Sequence, residues 1–70
     1  MDMDIHDIRQ AMHDVYGDRA EAETMVLLFK QAFVDEGLDE FYDLNTITVV
    51  DRGQGWWGVT FPKEKNDENS

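Results

Sequence analysis

No cysteine occurs among the 70 residues, so disulfide staples, thiolate zinc sites and cysteine nucleophiles are excluded, a composition that suits a reducing compartment better than secretion. Serine is missing before Ser70, and neither a G-x-S-x-G elbow nor a phosphate-cradling glycine loop is present. The common signatures of nucleophilic and phosphoryl-transfer chemistry are therefore lacking. Long apolar runs are lacking too. The longest, Met25 to Phe29, is far too short to span a bilayer, and the opening MDMDIHDIRQ has neither a basic n-region nor an apolar h-region. The expectation is a soluble, cytoplasmic protein with no membrane contact. Length limits it to one domain with a small core and little stability to spare.

Positive charge is scarce as well: 6 bases stand against 16 acids, for a net charge of −10. That balance opposes direct contact with nucleic-acid phosphates or anionic lipid and points to basic or neutral partners. The acids are also unevenly placed. Residues 1–43 hold 12 acids and 3 bases, whereas residues 44–61 hold only Asp51 and Arg52. Five carboxylates fall in the nine residues of DEGLDEFYD, from Asp35 to Asp43.

Apolar residues at Ile5, Ile8, Met12 and Val15 are spaced as a helical stripe, which predicts a first helix from Asp4 to Tyr16, ended by Gly17. Carried along at 100° per residue, Asp4, Asp7, Asp14 and Asp18 cluster within about 80° on one flank, with His6 and His13 on the other. Asp18 followed by Glu21 reads as a capping-box-like start of a second helix, running from about Arg19 to Glu36. Its core face is Ala22, Met25, Val26, Phe29, Ala32 and Phe33, and Gly37 then Leu38 reads as a left-handed cap with its hydrophobic contact. Asp39 is placed to cap a short helical turn over residues 39–43, with Phe41 or Tyr42 folding back onto the core.

The pattern then changes period. β-branched residues in Thr46–Val50, the connection DRGQG and a second run from Trp56 to Phe61 predict an antiparallel hairpin. Ile47 and Val49 share a face with Trp57, Val59 and Phe61, leaving Val50 and Trp56 on the other. The expected fold is α+β: a single acidic domain over residues 1–61, two helices packed on a C-terminal hairpin (ααββ), followed by a disordered polar tail over residues 62–70.

No candidate chemistry fits the acids. Read as a calcium loop, DEGLDEFYD puts Gly37 at the third position, Phe41 at the seventh and Thr46 at the twelfth, where an EF-hand needs ligands. His6 and His13 lie two helical turns apart, about 10 Å, too far to share one zinc ion. A carboxylate pair for acid/base work needs a water-excluding pocket, which two helices and a hairpin of this size hardly enclose. No enzyme, no cofactor and no metal are expected.

Two surfaces remain. Carboxylates three to four apart on a helix form a negative row about 4.5–6 Å in step, comparable in density with a phosphate backbone. The plain alternative is a solvated face that keeps a small protein in solution, or the acidity of a halophile. Adjacent Trp56 and Trp57 point to opposite faces of their strand, so if Trp57 fills the core, Trp56 is either shielded or an interface anchor. The open hairpin edge also offers strand addition or homodimerisation.

In size and charge, though in no motif, the chain resembles the small acidic proteins by which phages and mobile elements block host nucleic-acid-binding enzymes, among them anti-restriction and anti-CRISPR inhibitors. The resemblance implies a non-enzymatic DNA-mimic inhibitor, acting in the host cytoplasm if phage-encoded, whose partner is a basic nucleic-acid-binding protein. Asp4, Asp7, Asp14, Asp18, Asp35, Glu36, Asp39, Glu40 and Asp43 are then the partner-binding residues. The second expectation is an interaction module or homodimer that uses Trp56 and the hairpin edge.

Overall fold

The computed structural model describes residues 4–65. Helix α1 spans Ile5–Ala11 and helix α2 Arg19–Asp35, followed by the 3-10 turns Leu38–Glu40 and Leu44–Thr46 and by four short strands. Strands β2 (Val49–Gly53) and β3 (Trp56–Val59) form one antiparallel hairpin. Strands β1 (Tyr42–Asp43) and β4 (Lys63–Glu64) form a second antiparallel pair. The α+β fold, with two helices ahead of a small antiparallel sheet, is the one the sequence predicts.

Helix α1 is shorter than its apolar stripe suggests. It begins where Asp4 and Asp7 close a reciprocal capping box, and after Ala11 the chain turns, with the amides of Met12, His13 and Asp14 bonded to carbonyls behind them. Ile8 and Met12 are buried, but Val15 is exposed, and Tyr16 leaves the helix to bridge Trp57 by two backbone hydrogen bonds of 2.7 Å each. A cross-strand pair thus takes over the backbone groups that one more helical turn would have used.

Helix α2 follows its expected course. The Asp18 carboxylate accepts the Ala20 amide at its start, and Gly37 at φ +74° turns the chain in the left-handed region at its end. Ala22, Val26, Phe29 and Phe33 are buried along one face, with Met25 and Ala32 at its margins. The next turn is capped by Gly37 rather than Asp39, and Tyr42 is the aromatic that folds inward while Phe41 is 61% exposed. Phe33, Tyr42 and Phe61 meet edge to face with ring centroids 5.5–5.8 Å apart.

The hairpin begins three residues later than expected because Asp43 diverts the chain. Its carboxylate accepts the Asn45 amide and its carbonyl accepts the Thr46 hydroxyl, which makes Leu44–Thr46 a capped 3-10 turn. Thr46 and Thr60 then latch the sheets together. The Thr60 hydroxyl donates to the Thr46 carbonyl at 2.9 Å, and the Lys63 amide donates to the Thr46 hydroxyl at 2.8 Å. The Gln54–Gly55 turn has φ of +56° and +83°, the signs of the hairpin turn whose twist matches paired strands, and a bulge at Arg52 precedes it. The disordered tail expected over residues 62–70 does not describe its first residues: Pro62 is buried and Lys63–Glu64 pairs with Tyr42–Asp43. The remainder, residues 66–70, lies outside the described residues.

Ile8, Met12, Val26, Phe29, Phe33, Ile47 and Val59 form the core cluster. Trp57 is not among them. It is half-buried at the edge of α2, with the Arg19 guanidinium 5.5 Å from its ring centroid, so the expectation of a core Trp57 does not hold. The core closes over Val59 instead, opposite Val49 in the register.

Candidate partner-binding surface

The early end of α1 breaks up the predicted acidic row. Asp4 and Asp7 are spent on the capping box, Asp14 sits in the following turn, and Asp18 caps a different helix. These four carboxylates are exposed, but they do not lie on one helix flank. Asp35 accepts a hydrogen bond from the Gln31 side chain at 2.9 Å, and Asp43 serves its own turn. Much of the acidity thus has a local structural use that charge counting cannot see.

A denser group forms elsewhere. Asp35 and Glu36 occupy the last position and the cap of α2, whose final turn holds no base, and Asp39 and Glu40 follow in the adjoining 3-10 turn. A helix C-terminus carries the negative end of the backbone dipole, so carboxylates there cost about 0.3–1 kcal/mol each at low salt. Beside them lies an open groove of about 380 Å³, walled by Ile5, Leu38, Phe41, Tyr42 and Glu64. Each wall residue either is a carboxylate or adjoins one in the chain: Asp4 precedes Ile5, Asp39 follows Leu38, Glu40 precedes Phe41 and Asp43 follows Tyr42. Glu64 is the one carboxylate in the groove wall, and neither Asp14 nor Asp18 adjoins a wall residue in the chain.

The sequence reading missed a second apolar surface. Leu27, Leu28 and Val34 are 66%, 55% and 48% exposed on the side of α2 turned from the core. A signal for it exists, since successive helical residues are 100° apart and the run MVLLF must therefore cover more than one face.

Trp56 is 48% exposed and stands over Gly17, where an added Cβ would come 3.8 Å from its ring. The bridge from Tyr16 occupies the outer edge of β3 at Trp57, so strand addition there is blocked and a second chain is left with the β2 side.

Among the described residues the chemistry is limited. No three histidine or carboxylate side chains gather closely enough to hold a metal ion, and no helix is long and apolar enough to cross a membrane. Tyr16 has its phenol pushed up from the ordinary value by burial first, then by the negative charges of Asp14 and Glu21. Comparison with family models, with curated proteins and with solved structures finds no match for the chain, so its function is read from its own surfaces.

Proposed function

We propose that the chain is a non-enzymatic binding protein that docks its acidic half on the basic nucleic-acid-binding surface of another protein and competes there with DNA or RNA. The groove walled by Ile5, Leu38, Phe41, Tyr42 and Glu64 carries this reading, because one carboxylate lines it and each apolar wall residue has an acidic neighbour in the chain. A basic surface that grips nucleic acid presents Lys and Arg around exposed aromatic or aliphatic side chains. One such side chain enters the slot while its cationic neighbours meet Asp4, Asp39, Glu40 and Glu64. Supporting it is the crowding of carboxylates at the negative end of α2, an arrangement that costs stability in the free protein and is relieved by a cationic partner. Inhibition of a host enzyme, as by a phage or mobile-element anti-defence protein, is one use of such binding.

The test is capture of the partner from nuclease-treated lysate, followed by competition. A captured protein that binds nucleic acid by itself, and is displaced from this chain by an oligonucleotide, supports the proposal. A partner that holds the oligonucleotide and this chain at once contradicts it. Phe41→Ala weakens capture with little loss of stability, since the ring is largely exposed. The second reading, an interface or homodimer built on exposed Trp56, requires Trp56→Ala to abolish association while Phe41→Ala leaves it intact.

A further inference from the structure

Cations are scarce in this chain, yet two arginines and a histidine converge on one cleft. Arg9 and His13 reach it from α1 and the turn beyond, Arg52 reaches it from the β2 bulge, and Met12, Val59 and Phe61 complete its lining. With 16 acids against 6 bases in the chain, a cleft lined by no carboxylate and three nitrogen donors departs from its surroundings. The Arg9 guanidinium stacks 4.2 Å from the centroid of Phe61. Arg52 lies across Gly58, where an added Cβ would meet its Nε at 2.9 Å and its Cγ at 3.4 Å. Glycine at position 58 is what lets this side chain lie flat on β3. Neither arginine is in an ion pair among the described residues, where the one pair is Arg19–Glu23.

We propose that this cleft binds a small phosphomonoester attached to a single aromatic or apolar ring. Two guanidinium forks with an imidazole offer more N–H donors than one carboxylate can accept, whereas a phosphomonoester has three terminal oxygens and close to two negative charges. The buried side chains of Met12 and Val59, with the Phe61 ring, give the organic part an apolar floor. At about 220 Å³ the cleft falls below the roughly 300–1,000 Å³ of drug-sized pockets, which limits the ligand to about one ring and its phosphate. The site is separate from the acidic groove and takes charge of the opposite sign.

The probes are phenyl phosphate, inorganic phosphate and benzoate, each titrated into the full chain while backbone amide resonances are followed by NMR. Phenyl phosphate shifts the amides of Met12, Arg52, Val59 and Phe61 saturably, and binds at least tenfold more tightly than either other probe. Arg52→Gln weakens it by roughly tenfold or more, the scale of one charge-assisted hydrogen bond. Gly58→Ala weakens it as well, with no change of charge, because the new methyl displaces Arg52. Arg19→Gln, which removes a cation outside the cleft, leaves the affinity unchanged, and a thermal melt of each variant establishes that it folds. Three results would overturn the proposal: equal binding of benzoate, equal loss in Arg19→Gln and Arg52→Gln, or shifts that spread over the surface without saturating.

Discussion

Phe33 is the side chain on which most of the packing converges, being fully buried and in edge contact with Tyr42 and Phe61. Phe33→Ala is expected to cost about 3–5 kcal/mol, comparable with the whole stability of so small a domain, and to leave no cooperative transition in urea. Trp57→Ala is expected to cost about 1–3 kcal/mol, because its ring sits at the core margin beneath Arg19; a loss as large as that of Phe33→Ala would place Trp57 in the core after all. Tyr16 adds a pH dependence. Burial and its acidic neighbours disfavour the phenolate in the native state, so the folded pKa stands above the unfolded one. The resulting stability is complete below the ordinary tyrosine value of about 10 and is lost as pH rises through the folded value. Tyr16→Phe should therefore lose less stability than the parent as pH rises above about 10 in urea titrations, and parallel curves would refute this.

At the scale of elements, α2 states its ends in the sequence and α1 does not. Asp18, Gly37 and a continuous apolar face specify α2 locally, so its limits are legible from those residues alone. The stripe of α1 continues to Val15, but the backbone of Tyr16 is claimed by Trp57, a partner 41 residues further on that no local pattern reveals. The same holds for β4. Lys63–Glu64 has no strand signature, and it is ordered by pairing with Tyr42–Asp43 and by the Thr46 hydroxyl. The acids of the candidate surface were legible as residues, but the groove was not: its walls need Ile5 at the start of α1 beside Leu38 and Phe41 after α2, whereas Asp14 and Asp18 drop out of the predicted row with the lost helical turn. Carboxylates at the end of α2 also give a prediction. Glu36→Lys replaces an adverse charge at the helix C-terminus by a favourable one and should raise stability by about 0.3–1 kcal/mol, seen as a higher Tm at low salt, while weakening partner binding. A variant that gains stability and binds as tightly as the parent would separate these acids from function.

For the molecule as a whole, the question is whether its charge recognises a partner or only keeps the chain apart from its neighbours. Long-range attraction between an acidic and a basic surface speeds encounter and is screened by salt, while solvating charge does neither for a particular partner. Four carboxylates, Asp35, Glu36, Asp39 and Glu40, can be neutralised to Asn or Gln without touching a helix N-cap, and Asp43 is left in place because it caps its own turn. The deciding measurement is the association rate constant of parent and neutralised variant with the captured partner, at salt concentrations that shorten the Debye length from about 30 Å to about 8 Å. The account predicts that the parent rate falls steeply across that range, that the variant starts slower, and that its rate is nearly flat. A variant that associates as fast as the parent, with the same salt dependence, would contradict the claim that these acids dock on a basic surface.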